Sequence, residues 1–214
     1  NLVSQEALTL CNCHYCDVSD NYIHDCHKEG LDVKGESSHV DVHHNIIHDL
    51  AGPGIYIDGN PCSYINIYSN YVYDLHDNDP ETPPFPAFYN HMSGIVVSSE
   101  HHVMNTYINV YNNIVDNSSM HGIEAGYTQH IRIFNNTIEK CNPGFEEGRN
   151  IQIGSVATVD NISIFNNIMW RRTPHKYYAG GIRINANTVY ASDCVVADGV
   201  ETNTYAATVA DDNT

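Results

Sequence analysis

An all-β chain wound into stacked coils is the fold class that the sequence predicts, and three observations carry it. The first is recurrence. The segments DVSDNYIHDC (17–26), DVHHNIIHDL (41–50), NIYSNYVYDL (66–75), NVYNNIVDNS (109–118), RIFNNTIEKC (132–141) and SIFNNIMWRR (163–172) share one frame. Asn21, Asn45, Asn70, Asn113, Asn136 and Asn167 occupy its fixed position, so the unit is one turn of a periodic object. The second is a short apolar segment ahead of each copy: ALTL at 7, GLDV at 30, GIYI at 54, GIVV at 94, GIEA at 122, NIQI at 150, then GIRI at 181. The third is that no stretch sustains a 3.6-residue apolar period, which leaves little for helices.

The spacing decides among repeat architectures. From Gly30 onward the leading segments are 24, 40, 28, 28 and 31 residues apart, with Asn150 standing for a glycine. Units this short cannot bury an apolar side alone, so they must stack. Leucine-rich repeats need leucine at fixed sites, and propeller blades need longer repeats with hairpin signals. A parallel β-helix of about seven coils fits. In the second coil GLDV is the first strand, HVDVHH the second and IIHD the third, with Asn45 at the bend before it. Asparagine tolerates left-handed backbone, and amides stacked at ~4.8 Å can donate and accept along a ladder. Alternation points Leu8, Leu31, Ile55, Ile95, Ile123, Ile151 and Ile182 inward, together with Leu10, Val33, Ile57, Val97, Ala125, Ile153 and Ile184. Residues 1–199 read as the β-helix and 200–214 as an irregular tail. Uncapped end coils expose apolar edges, so end-to-end self-association or adjoining coils outside this chain are expected to cover them.

Composition narrows the partners. The formal charge is −17 with nine Lys and Arg, which argues against nucleic acid because phosphate binding needs a basic surface. No apolar run approaches the ~20 residues of a membrane span, so no membrane partner is expected. The chain starts directly in strand-like sequence, as a mature, excised or incomplete region would. Seven cysteines include the cluster CNCHYC (11–16). Zinc needs four converging ligands, so small buried hydrophobes or a local disulfide are the stronger expectation there.

The repeated GIxV…xIxxNxIxD pattern resembles the right-handed parallel β-helix superfamily that includes pectate lyases and related polysaccharide-active enzymes, over roughly residues 7–190. KEGLDVKG (28–35) is similar to the acidic calcium-site coil and catalytic lysine of some lyases. The resemblance implies a single-stranded right-handed β-helix that is secreted or at the cell surface. It also implies a long groove that takes an acidic, uronate-containing polysaccharide. The reading this favours is a lyase working by β-elimination with Ca²⁺. A non-catalytic glycan-binding or structural β-helix, or a glycoside hydrolase, is the alternative.

Alternation then proposes a groove on the first strands. One outward column is Thr9, Asp32, Tyr56, Val96, Glu124, Gln152 and Arg183; the next is Cys11, Lys34, Asp58, Ser98, Gly126, Gly154 and Asn185. Long segments at 76–93, 141–150 and 171–181 enter these strands and would wall one side. Lys34 is the candidate base for the proton at C5 of a uronate, with Arg183 as its catalytic partner. Asp32, Asp58 and Glu29 are the candidate calcium ligands. Carboxylates beside Lys34 raise its pKa, and a plain ion pair competes with the catalytic reading. Tyr56, Glu124, Gln152, Arg149, Arg172 and Lys176 are the candidate substrate contacts, the basic ones matching an acidic polymer. Glu124 and Asp58 are a candidate hydrolase pair, ~10 Å apart by strand spacing. His43, Tyr68, Tyr111, Phe134 and Phe165 share one frame position, which predicts an outward stacking column; His24 and His48 share another.

Overall fold

The computed structural model describes residues 6–75, 92–139, 141, 149–154, 159–171, 182–184, 189–192, 195–198 and 201–203. Each coil gives one strand to each of three sheets, all paired in parallel except at the C-terminal end. The first sheet runs Leu8–Cys11, Leu31–Gly35, Ile55–Gly59, Ile95–Ser98, Ile123–Ala125, Ile151–Ile153 and Ile182–Ile184. The second runs His14–Ser19, Ser38–His43, Ser63–Tyr68, Asn105–Tyr111, Thr128–Phe134, Val159–Phe165 and Val189–Ser192. The third runs Tyr22–Cys26, Ile46–Leu50, Tyr71–Leu75, Ile114–Ser118, Thr137–Glu139, Ile168–Arg171 and Val195–Asp198. Glu201–Asn203 then pairs antiparallel with Val195–Asp198, so sheet pairing continues past residue 199, where the repeat pattern fades.

The core lies inside the coil. Leu31 and Val33 from the first sheet, Val40 and Val42 from the second and Ile47 from the third are all fully buried in one turn. The next turn repeats this with Ile55, Ile57, Ile65, Ile67 and Val72 in register above them. Aliphatic side chains therefore stack on their own kind along the axis, and each coil completes its neighbour's apolar surface.

The predicted asparagine ladder is present. Asn45 Nδ2 donates to Asn70 Oδ1 at 3.0 Å, Asn70 Nδ2 to Asn113 Oδ1 at 3.0 Å, and Asn136 Nδ2 to Asn167 Oδ1 at 2.9 Å. The left-handed residue, however, is not the ladder asparagine but the one before it: Asp20, His44, Ser69, Asn112, Asn135 and Asn166 all have φ between 54° and 58°. The preceding residue makes the bend, which leaves the ladder side chain free to turn inward and satisfy backbone groups in the dry corner.

A glycine column marks the opposite corner. A Cβ on Gly94 would overlap Val115 Cγ1 and stand 2.7 Å from the carbonyl oxygen of Gly122 on the next coil. Gly54 and Gly122 meet the same pair of obstacles, a branched side chain and a backbone oxygen. Gly94→Ala should therefore destabilise the protein by ~2–3 kcal/mol or more, because the obstacle includes main chain that cannot rotate away. An unchanged urea midpoint would show that the coils do not approach this closely.

Candidate functional site

On the first-sheet face, where the groove is expected, Thr9 is exposed and Lys34, Tyr56, Ser98 and Glu124 are half-buried. Asp32 is 1 % exposed, and Asp58, Val96 and Gln152 are also buried although alternation turns them outward. Lys34 Nζ sits 2.5 Å from Asp32 Oδ2 and 3.0 Å from Glu6 Oε1. Burial works to lower the Lys34 pKa, but these two carboxylates outweigh it and hold the ammonium well above the usual lysine range. A lysine so held keeps its proton and is poorly suited to act as a base. Burial pushes the Asp32 carboxyl up to about 7, against the pull of Lys34 and with help from Asp58 and Glu29. Burial, then Asp58 and Glu100, raises the half-buried Tyr56 phenol far above its usual range.

The other candidates on this face also have structural partners. Asp58 Oδ1 accepts the Glu100 backbone N–H at 2.9 Å, and Glu124 Oε2 accepts from Ser93 Oγ at 3.0 Å. Gln152 Nε2 donates to the Ile153 carbonyl at 3.3 Å, and the Arg149 N–H donates to His121 Nδ1 at 3.0 Å. Arg183 lies on its strand in register with Gln152. Arg172 and Lys176, with most of the long segment at 76–93, lie outside the described residues.

Calcium takes about 6–8 oxygens, of which Asp32, Asp58 and Glu29 are the carboxylate candidates, and Asp58 and Glu29 both act on the Asp32 carboxyl. Among the described residues no three His, Cys, Asp or Glu side chains converge to hold a metal ion. Asp32 turns to Lys34 and Asp58 to a backbone N–H, while Glu29 Oε2 and Asp32 Oδ1 are buried without a hydrogen-bond partner. In the CNCHYC cluster Cys11 is exposed, and Cys13 and Cys16 pack against the core.

The open site lies on the second sheet. A trough of about 820 Å³ runs along its outer face across consecutive coils. Its floor is the in-register row Asp17, Asp41, Asn66, Asn109, Arg132 and Ser163. One wall is a stack of rings, Tyr15, His39, Tyr64, Tyr107 and His130, with centroids 4.7–4.9 Å apart. Two residues beyond the floor stands the second stack, His43, Tyr68, Tyr111, Phe134 and Phe165, with centroids 4.7–5.0 Å apart. This second stack is the column that the frame predicted. Because the rings cover one another's faces, they turn edges outward, and those edges carry phenol hydroxyls and imidazole nitrogens.

The first wall depends on unusual backbone. Tyr15, His39, Tyr64, Tyr107 and His130 all have φ between 54° and 57°. The pairing accordingly steps over them, from His14↔Ser38 to Cys16↔Val40. Left-handed geometry costs roughly 1–2 kcal/mol for a bulky L-residue, and such outliers cluster at binding surfaces. Sequence reasoning missed this wall because the shared frame was read only from the floor residue onward. A signal was present: HYCDVS, SHVDVH, SYINIY and QHIRIF keep a ring in one place ahead of the floor residue.

The floor is itself a hydrogen-bonded chain. Asn109 Nδ2 donates to Asn66 Oδ1 at 2.8 Å, and Asn66 Nδ2 donates to Asp41 Oδ1 at 2.7 Å. His43 Nε2 lies 2.9 Å from Asp17 Oδ2, and that imidazole, with Ser19, holds the Asp17 carboxyl below its ordinary range. The Arg132 guanidinium lies over the Phe134 and Phe165 rings, 5.2 and 5.6 Å from their centroids. On the third sheet His24 and His48 stack at 5.3 Å, and each Nδ1 lies 2.6 Å from the following aspartate, Asp25 or Asp49. Those contacts give both histidines a structural role.

Residues 4–78 match a family model described as a right-handed beta helix region. The chain is a right-handed parallel β-helix. The enzymatically active domain of tailspike protein 2 from bacteriophage CBA120 superposes on this β-helix with a TM-score of 0.58 at 11% identity, over 83% of this chain and 28% of that one. The DFA-IIIase from Arthrobacter chlorophenolicus A6, in complex with DFA-III, does so with a TM-score of 0.45 at 12% identity, over 82% of this chain and 47% of that one. The β-helix thus spans less than half the length of either neighbour, and at these identities the likeness is one of fold. No curated protein matches it in sequence.

Proposed function

We propose that this β-helix is a carbohydrate-active protein that engages an extended, acidic polysaccharide along the trough of its second sheet. The observation that carries the reading is the polar floor held between two ring stacks and repeated at each coil. An open trough with hydrogen-bonding groups at a fixed spacing suits a polymer laid along it better than a compact molecule, which needs an enclosing pocket. Hydroxyl-rich sugars can exchange hydrogen bonds with the phenol, imidazole and amide groups, and Arg132 supplies a cation for an acidic substituent. A target of this kind places the protein outside the cell or on its surface.

The tailspike domain it resembles in fold is described as enzymatically active, which makes turnover worth testing. Hydrolysis is the second reading, favoured by one contact: Asp17 and Asp41 are register partners on adjacent coils. Strand spacing of ~4.8 Å brings such carboxylates near the ~5–5.5 Å of retaining glycosidases. Elimination through Lys34 rests on the sequence resemblance, with Arg183 placed beside it by strand alternation; Lys34 is ion-paired on another face.

The test is incubation with a panel of acidic polysaccharides, read by reducing ends and by the ultraviolet absorbance of unsaturated sugars. New reducing ends without absorbance, lost in Asp41→Asn, are expected if the site turns over. Binding without turnover, weakened by Asn109→Ala, would leave a glycan-binding module. Absorbance that disappears with Lys34→Ala would overturn the trough reading in favour of a lyase.

A further inference from the structure

We infer that the trough selects a sparsely charged heteroglycan, in which one carboxylate-bearing sugar is separated from the next by neutral ones, rather than a polymer charged at every sugar. The inference rests on the trough reading and specifies its substrate class. Charge along the floor is ordered: Asp17 and Asp41 at one end, then the neutral amides of Asn66 and Asn109, then Arg132. Among the described residues that line the trough, Arg132 is the one Lys or Arg. It is exposed and lies against two phenylalanine rings, and among the described residues no carboxylate pairs with it. A guanidinium shelved on rings and open to solvent is ready for bidentate contact with one carboxylate.

The acid end has the opposite preference. Asp17 is met by His43 and Asp41 by the Asn66 amide, so no fixed cation there would receive a second anionic sugar. Like charges ~4 Å apart repel by ~1 kcal/mol even in bulk water, and more beside protein. The floor steps from Asp41 to Arg132 through Asn66 and Asn109, a span of ~14 Å at ~4.8 Å per coil. A glycan seated with its carboxylate on Arg132 must therefore present uncharged hydroxyls over that distance. The amide chain, whose donors run from Asn109 toward Asp41, sits where those hydroxyls would lie.

Affinity electrophoresis and calorimetry at low salt test this with three probes. These are gellan (one glucuronate per repeat among neutral sugars), polygalacturonate (charged at every sugar) and dextran (uncharged). Gellan is expected to bind more tightly than either. Arg132→Gln should weaken gellan binding about tenfold, a loss of ~1.4 kcal/mol, and bring it to the level of dextran. The double variant Asp17→Asn/Asp41→Asn should gain affinity for polygalacturonate. Equal or tighter binding of polygalacturonate by the unmodified protein would overturn the inference, as would gellan binding indifferent to Arg132→Gln. If gellan binding fell with Asn109→Ala but not with Arg132→Gln, the trough would stand and the charge assignment would fail. No binding to any probe, or binding untouched by both Asn109→Ala and Tyr64→Ala, would overturn the trough reading together with the inference.

Discussion

Asn113→Ala is expected to lower the unfolding free energy by about 3–6 kcal/mol, a large effect for a single polar substitution. Asn113 is 1 % exposed and sits in the middle of the ladder. Its Nδ2 donates to the Ile67 carbonyl at 2.9 Å and to Asn136 Oδ1 at 3.1 Å. Its Oδ1 accepts both the backbone N–H and the side-chain amide of Asn70, each at 3.0 Å. Alanine strands the two Asn70 donors and the Ile67 oxygen in a corner that water cannot reach, and each stranded group costs ~1–3 kcal/mol. Asn113→Asp keeps the acceptor but loses both donations and puts charge in a dry core, so it should be no milder. Asn21, half-buried in the first coil, provides the contrast; its replacement by alanine should cost much less. Urea unfolding of the three variants checks the order, and equal midpoints for Asn21→Ala and Asn113→Ala would refute the ladder's role.

Asp32 predicts a pH dependence of unusual sign for a carboxylate. Its folded pKa is raised from 3.8 to about 7 by burial, with Lys34 opposing the shift and Asp58 and Glu29 adding to it. A group that binds its proton more tightly when folded supports the fold fully below its unfolded pKa. That support is lost as pH rises from 3.8 through about 7. At ~1.4 kcal/mol per pH unit, the loss is on the order of a few kcal/mol. Asp32→Asn mimics the protonated acid, and Lys34 retains Glu6 at 3.0 Å. The variant should match the parent protein near pH 4 and exceed it in stability at pH 8. Because Glu6 and Asp17 have lowered pKa values and titrate with the opposite sign, the measured quantity is the difference between the two proteins. A difference that stays flat from pH 4 to pH 8 would show that the Asp32 site is not dry.

Side-chain period carried most of the fold. Fixed recurrence of Asn45, Asn70 and Asn113 located the corner, and the strict inward columns, such as Leu31, Ile55 and Ile95, defined the first sheet with the observed register. The outward column from His43 to Phe165 was legible for the same reason: identical frame positions in parallel coils must stack. Lys34 shows where that logic ends. Alternation places it outward, but the carboxylates of Asp32 and Glu6 take its charge, and Glu6 lies 28 residues away.

The sequence alone determined the coil, its period and the identity of the ladder, because these depend on local alternation and on a repeat that stacks like upon like. Only the tertiary structure decided which outer face is open. Exposure of an outward side chain depends on packing beyond its own strand: Asp32, Asp58 and Gln152 on the first sheet are buried, while a trough runs along the second. The structure also placed the left-handed residues, one position before the asparagines and at the rings of the trough wall, where the pairing skips one residue on both strands. Alternation within a strand carries no information about either.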